Sequence, residues 1–107
     1  MMRQAKITEP AREDLKEIWE YVAQHQIESA NNLIKEITQK FSTLCTHPLI
    51  GRSREDLLIN LRSFVVKNYI IFYQPDENGI EVLRVMHSSR DIEGAFKRFF
   101  DSLKMNP

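Results

Sequence analysis

The sequence predicts an α+β fold in which an antiparallel meander of strands carries an αα-hairpin on one face. Two long segments have the apolar period of amphipathic helices, and the chain changes after residue 60 to a β-branched and aromatic pattern. The predicted order is β-α-α-β-β-β with a short final helix, which pairs a twisted sheet with packed helices. A length of 107 residues fits one domain over residues 1–107.

The first predicted element is a short strand from Met2 to Thr8, because Ala5 and Ile7 alternate with polar residues. Thr8 is then a suitable N-cap for a helix, and Pro10 fits the first turn, where its missing N–H breaks no hydrogen bond. This first helix is predicted to end near residues 25–26. Its apolar stripe consists of Leu15, Ile18, Trp19 and Val22.

A second helix follows after a very short connection and keeps its apolar period for four turns. Its stripe consists of Ala30, Leu33, Ile34, Ile37, Phe41, Leu44 and Cys45. Pro48 ends the helix, because the residue before a proline is displaced from the α conformation. The two helices form an antiparallel hairpin whose apolar stripes need a further surface to cover them.

The second half of the chain is predicted to be mainly sheet. Residues 49–60 form a loop, and three strands follow over residues 61–67, 69–73 and 80–87, with turns at Asn68 and Asn78-Gly79. Alternation predicts two faces for the last strand. One face carries Ile80, Val82, Arg84 and Met86, and the other carries Glu81, Leu83, Val85 and His87.

The final helix begins at Asp91 and has an apolar stripe of Ile92, Ala95, Phe96, Phe99, Phe100 and Leu103. Its aromatic residues have two interpretations, which the sequence leaves open. Packed on the sheet, Phe96, Phe99 and Phe100 complete the core. Exposed, they form a partner-binding site, because a large open apolar patch is usually occupied.

Composition excludes several classes of function. The 15 basic and 15 acidic residues balance, which disfavours tight and non-specific binding to nucleic acid. One cysteine excludes a disulfide scaffold and a thiolate zinc site, and Cys45 is interpreted as a packed core thiol. No run of apolar residues spans a bilayer and no secretory signal is present, so we expect a cytoplasmic protein that does not bind membranes.

Motifs for cofactor or metal binding are also missing from the sequence. The three glycines are far apart, which excludes a phosphate-binding loop, and the three histidines lack the i, i+4 spacing of a zinc helix. We therefore expect no cofactor and no metal.

The side chains that could form a catalytic site lie on or just after the predicted strands. They are Arg62, Arg84, His87 and Arg90. Such cations can hold a phosphodiester and stabilise the attack of a 2′-OH, with an imidazole as proton shuttle, as a metal-independent ribonuclease requires. The alternative, which we favour, is that the arginines pair with acidic neighbours, namely Glu81, Asp91 and Glu93. Tyr69, Phe72 and Tyr73 similarly suggest either base stacking or, as we favour, core packing.

Taken together, several segments resemble the ParE branch of the RelE/ParE toxin superfamily. They are residues 8–15 leading to Ile18-Trp19-Tyr21, the loop 48–52, the strands 61–66 and 68–73, and the run 79–92. No single segment is specific, but the set covers almost the whole chain in the right order. The resemblance implies the β-α-α-β-β-β fold, a toxin of a bacterial toxin–antitoxin module, and a cognate antitoxin as partner.

The resemblance also implies a target. ParE-type toxins poison DNA gyrase and generally lack the catalytic residues of RelE-type toxins, which cut mRNA on the ribosome. Neutral charge and the absence of tyrosine after His87 favour the ParE branch. We therefore expect a gyrase inhibitor without catalytic residues, whose contact with operator DNA is only indirect, through the antitoxin. The alternative is a ribosome-dependent mRNA endonuclease that uses Arg62, Arg84, His87 and Arg90.

Overall fold

The computed structural model of the chain describes residues 3–105, with side chains as far as residue 101. Its elements are β1 (Gln4–Ile7), α1 (Glu9–Ala23), α2 (Ile27–Thr46), β2 (Arg52–Ser53), β3 (Arg62–Val66), β4 (Tyr69–Asp76), β5 (Gly79–His87) and α3 (Ile92–Met105). The predicted α+β class is confirmed. Met2, at the start of the predicted first strand, and the side chain of Leu103 lie outside the described residues.

The strands form one sheet in the order β1-β5-β4-β3-β2. The meander β3-β4-β5 is antiparallel, whereas β1 lies parallel to β5 at its other edge. This pairing depends on Gly79, where a Cβ atom would lie 2.2 Å from the carbonyl oxygen of Gln4. The strand β2 falls inside the predicted loop 49–60, and its two residues are too few to produce a periodic signal.

The strand β5 contains a bulge that changes which side chains face each other. Tyr73 lies opposite Val82 and Phe72 lies opposite Arg84, so Leu83 is an extra residue. Beyond this point Val85 returns to the face of Val82. The predicted strict alternation of Ile80, Val82, Arg84 and Met86 against Glu81, Leu83, Val85 and His87 is therefore wrong, because one inserted residue reverses the phase of the strand.

The two faces of the sheet carry separate apolar cores. The first, which we call the hairpin face, packs against α1 and α2 through Ala11, Ile37, Phe41, Leu44, Cys45, Val66, Ile71, Tyr73, Ile80, Val82 and Val85. The second, which we call the α3 face, packs against α3 through Leu61, Phe72, Leu83, Met86, Ala95 and Phe96. Helices thus lie on both faces, because the nearly continuous apolar run of β4 has buried side chains on each side.

Polar contacts fasten the start of α1 to the edge of β5 beyond the end of β1. The Thr8 hydroxyl accepts a hydrogen bond from the Ala11 amide at 3.1 Å, as expected of an N-cap, and donates one to the Leu83 carbonyl at 2.8 Å. Trp19 Nε1 donates to Asn31 Oδ1 at 2.7 Å and joins the two hairpin helices. Within residues 3–105, none of the helices has the length and apolar character needed to cross a bilayer.

Candidate functional site

Arg84 is engaged by a carboxylate from the other end of the chain. Its Nε and Nη2 atoms donate to the two Asp14 oxygens at 2.7 and 2.8 Å. Asp14 also accepts the backbone N–H of Val85 at 2.9 Å. Asp14 is only 6% exposed, and the pair is bidentate, so both groups are fixed in orientation. The hydrogen bonds that Arg84 donates to Asp14 raise the pKa of Arg84, against the opposing effect of burial.

The interpretation that the arginines pair with acidic neighbours is wrong for Arg62 and Arg90, which form no ion pair among the described side chains, and it needs a correction for Arg84. An ion pair for Arg84 was favoured, but its partner is Asp14 instead of Glu81, Asp91 or Glu93. The signal was available in the sequence, since Asp14 occupies an inward position of the α1 stripe, three residues after Ala11 and four before Ile18. The guanidinium of Arg84 also lies 5.9 Å from the centre of the Phe99 ring.

Arg62 is engaged by backbone carbonyls of the loop that follows α2. Its Nη1 atom donates to the carbonyl oxygens of Gly51 and Leu49 at 2.7 and 3.2 Å. The Tyr73 hydroxyl donates to the carbonyl of Pro48 at 2.8 Å and accepts the N–H of Gly51 at 3.0 Å. Burial raises the pKa of Tyr73, which keeps the phenol neutral. Arg62 therefore holds a loop in place.

His87 and Arg90 lie at the end of β5, where they line a cavity of about 400 Å³. The Ser89 backbone N–H donates to His87 Nδ1 at 3.1 Å, and the Ser89 hydroxyl lies 2.7 Å from the same nitrogen. The ring also meets Tyr69 edge to face, with centroids 5.1 Å apart. Both His87 and Arg90 are exposed to solvent.

The cavity also receives side chains that sequence reasoning did not select. Glu17 and Tyr21 reach it from α1, together with the half-buried Ile18. Glu17 and Tyr21 are four residues apart and so lie on the same side of the helix. The wall therefore combines two carboxylates, a guanidinium, an imidazole and two phenols, and Val85 and Met86 also line it.

The four candidate cations do not form one cluster. Arg62 lies opposite Tyr73, which belongs to the hairpin face, whereas Arg84 lies opposite Phe72, which belongs to the α3 face. Side chains directly opposite each other in a ladder share a face. Arg62 and Arg84 therefore lie on different faces of the sheet.

Distance separates the set further. His87 lies opposite Tyr69, four residues along β4 from the partner of Arg62, which amounts to roughly 13 Å along the strand. Only His87 and Arg90 share the cavity. The arrangement can hold a small polar or aromatic group against one imidazole and one guanidinium.

The aromatic candidates divide between core and surface. Phe72 and Tyr73 are completely buried, as the core interpretation requires, and Tyr69 is half-buried. Phe96 is 1% exposed and meets Phe72 edge to face at 5.0 Å, which places it in the core of the α3 face. Phe99 and Phe100 remain half-buried, and their role in partner binding stays a prediction.

Cys45 packs in the core of the hairpin face and is 5% exposed. Burial raises the pKa of its thiol, which disfavours the reactive thiolate. Among the described residues, no group of three or more histidine, cysteine, aspartate or glutamate side chains is arranged to hold a metal ion.

Comparison with known proteins gives a consistent result. Residues 5–92 match the family model for the ParE toxin of the type II toxin–antitoxin system parDE. The chain is 27% identical over 89 residues to toxin ParE1 of Caulobacter vibrioides, covering 82% of this chain and 92% of that protein.

Two solved structures are also similar to the chain. It superposes on a chain of the chromosomal ParDE toxin–antitoxin system from P. aeruginosa with a TM-score of 0.68 and 22% identity, covering 80% of this chain and 96% of that one. The toxin–antitoxin complex RelBE2 from Mycobacterium tuberculosis gives a TM-score of 0.52 and 25% identity, with coverages of 81% and 99%.

Proposed function

Because the chain belongs to the ParE toxin family of type II toxin–antitoxin systems, we propose that it stops bacterial growth by binding DNA gyrase, and that a cognate antitoxin neutralises it. It acts in this proposal as a protein ligand, not as an enzyme. Its action then takes place in the cytoplasm, with no cofactor and no metal.

We favour binding over RNA cleavage because of one observation: Arg62 and Arg84, two of the four candidate residues, already donate hydrogen bonds to other parts of the chain. Arg84 is held by both oxygens of Asp14, and Arg62 by the carbonyls of Gly51 and Leu49. A guanidinium that stabilises a phosphorane-like transition state must direct its donors at the substrate. Freeing Arg84 for that purpose would leave the buried Asp14 charge without a partner.

The test is a gyrase assay with purified protein. At a molar excess over gyrase, the chain should stop supercoiling of relaxed plasmid and increase the amount of cleaved DNA. The matched control is the double variant His87→Ala/Arg90→Ala, which removes both exposed cavity cations and should inhibit as strongly as the unmodified chain. Unchanged supercoiling without trapped breaks would contradict gyrase as the target.

A metal-independent mRNA endonuclease is the second candidate, and the cavity at the end of β5 favours it. There the exposed imidazole of His87 and the exposed guanidinium of Arg90 lie beside two tyrosines, Tyr21 and Tyr69. This function predicts that transcripts are cut in a translating extract and that cutting is lost in His87→Ala/Arg90→Ala. Growth arrest without any cleavage would exclude it.

The antitoxin is proposed to be a short, partly disordered protein that folds over the helical hairpin and an edge of the sheet. A segment of this kind can cover an extended surface, and a typical stable interface buries about 1,600 Å². The net charge of zero supports indirect contact with operator DNA, supplied by the antitoxin. Co-expression with the product of the adjacent gene should restore growth and yield a complex that survives purification.

A further inference from the structure

The loop between α2 and β2 exposes two neighbouring large apolar side chains. Leu49 is 67% exposed and Ile50 is 52% exposed. We call this pair the Leu49–Ile50 tip. Both residues follow the end of α2, and the chain returns directly to the sheet at β2.

The backbone around the tip is fixed from both sides. The buried Tyr73 hydroxyl bonds to Pro48 and Gly51, and Arg62 bonds to the carbonyls of Leu49 and Gly51. The Ile50 N–H also donates to the carbonyl of His47 at 3.2 Å.

Close packing beneath the tip restricts the loop further. A Cβ atom at Gly51 would lie 2.3 Å from the Tyr73 oxygen and 2.9 Å from the carbonyl oxygen of Ser63, so the loop sits directly on the sheet. A buried phenol and an arginine thus hold in one geometry a loop whose outermost side chains are apolar.

A rigid apolar projection has the properties of an interface anchor. Its side chains gain free energy when they leave water, and the fixed backbone means that little conformational entropy is lost on binding. The residues that dominate binding energy in protein interfaces are typically buried in a pocket of the partner. The Leu49–Ile50 tip therefore needs a partner with a preformed apolar hole.

This requirement selects among three possible occupants. A disordered segment that folds on binding brings side chains but no preformed hole, which disfavours the antitoxin. In a second copy of the chain, the cavity at the end of β5 has apolar walls but also contains Glu17, His87 and Arg90, whose polar groups would lose water there without gaining hydrogen bonds from two aliphatic side chains. That contact would also be head-to-tail and would propagate unless the rotation closed.

Charge near the tip adds a further criterion. From residue 37 to residue 54 the sequence has three formally basic residues, Lys40, Arg52 and Arg54, and no acidic one, although the whole chain is neutral. Arg54 is paired with Asp56, whereas Arg52 is exposed. A partner with acidic residues around its apolar hole would be attracted to this region.

We infer that the Leu49–Ile50 tip is the anchor by which this chain grips its target, a folded protein that offers an apolar hole with an acidic rim. This inference rests on the proposed function, in that the chain acts by binding a protein target. The inference identifies the surface that contacts the target. It also states that this surface differs from the one that the antitoxin covers.

The experiment compares two variants with matched exposure. Leu49→Ser/Ile50→Ser removes the tip, while Ile27→Ser removes a 60% exposed apolar residue at the opposite end of the 20-residue α2, roughly 30 Å away. Each is measured in the gyrase assay, in growth arrest on induction, in antitoxin binding and in thermal unfolding. We expect the tip variant to need at least about tenfold more protein for half-inhibition of gyrase. Ile27→Ser should reach half-inhibition at the same concentration as the unmodified chain.

The outcomes separate the two proposals. If the unmodified chain arrests growth without inhibiting gyrase, the proposed target is wrong, and the inference is then judged by whether the tip variant loses arrest. The inference is overturned if the tip variant inhibits gyrase, or arrests growth, as strongly as the unmodified chain. It is also overturned if the unmodified chain does not arrest growth. Loss of antitoxin binding together with inhibition overturns the choice of occupant.

A second variant keeps the test valid if the serines disturb folding. Arg52→Glu leaves Leu49 and Ile50 in place and reverses the charge beside them. It should weaken inhibition and reduce its dependence on salt concentration, because rim charges mainly affect the association rate. Unchanged inhibition and salt dependence in Arg52→Glu would contradict the acidic rim.

Discussion

The two faces of the sheet are held by different kinds of contact. The helix α1, on the hairpin face, is bonded to the edge of β5 through Thr8 and through the ion pair of its Asp14 with Arg84. On the α3 face, the contacts are apolar and aromatic, centred on Phe96 against Phe72. Among the described residues, α3 makes no side-chain hydrogen bond to the sheet, and the bonds beyond its own helical backbone are those of Asp91 to the amides of Gly94 and Ala95.

This difference indicates which helices are held in one fixed orientation on the sheet. Directional polar bonds between residues 70 positions apart allow one arrangement of α1 on the sheet, whereas apolar docking tolerates small shifts. The family match ends at residue 92, where α3 begins. We therefore expect α3 to undock at a lower free energy than the hairpin, as a separate cooperative unit.

The largest effect is expected for Asp14→Ala. It leaves the Arg84 guanidinium buried without its partner and removes the acceptor of the Val85 N–H, so the free energy of unfolding should fall by about 3–5 kcal/mol. Urea denaturation measures the change, and Glu13→Ala, at the exposed neighbouring position, is the control. Adding Arg84→Met should restore part of the loss. A loss of less than 1 kcal/mol in the free energy of unfolding would mean that the Asp14–Arg84 pair does not determine how α1 packs on the sheet.

Phe96→Ala is the matching change on the α3 face. Truncating this buried ring should cost about 3 kcal/mol, and the loss should appear locally because α3 detaches before the rest unfolds. Native-state hydrogen exchange should show faster exchange of α3 amides with α1 and α2 unaffected. Lys97→Ala, next in sequence and exposed, is the control. Equal acceleration in both regions would show that the two faces unfold together.

Tyr73→Phe is expected to have an intermediate effect. It removes two hydrogen bonds to the Pro48–Gly51 loop while keeping the ring, so the cost should be about 1–2 kcal/mol, with faster exchange of the Gly51 amide. Burial raises the Tyr73 pKa, so this group contributes stability below its unfolded pKa of about 10 that is lost as the pH rises further. The variant should lose part of that alkaline dependence, leaving the part due to Tyr69.

The smallest effect is expected for His87→Ala. The side chain is exposed, with a hydrogen bond to Ser89 and an edge-to-face contact with Tyr69, so the free energy of unfolding should change by less than about 0.5 kcal/mol. Thermal unfolding measures it, with Ser88→Ala as the control. A loss above 1 kcal/mol would show that the cavity end of β5 is part of the structural framework.

The sequence predicted the elements whose signal is local and periodic. The helices α1 and α2 have long apolar stripes, and the β3-β4-β5 meander has β-branched runs between turn residues. The bulge at Leu83 was missed, because a single inserted residue leaves the apolar composition of β5 unchanged while it reverses the facing of every later side chain.

The candidate site was less predictable because its geometry depends on distant segments. Arg84 and Arg62 were selected as residue types, but their partners, Asp14 and the carbonyls of the loop after α2, come from elsewhere in the chain. Sequence spacing also cannot tell that Arg62 and Arg84 lie on opposite faces. His87 and Arg90 are three positions apart in the sequence and line the same cavity.

The bonds that Thr8 and Asp14 make to β5 also protect the chain from self-association. β1 ends opposite Val82, so the remainder of β5 has no neighbouring strand, and such an edge is a template for pairing with another chain. The Leu83 carbonyl and the Val85 amide there are already taken by a hydroxyl and a carboxylate of the helical hairpin. The first two turns of α1 thereby occupy backbone groups of β5 that an added strand would need and that β1 does not reach.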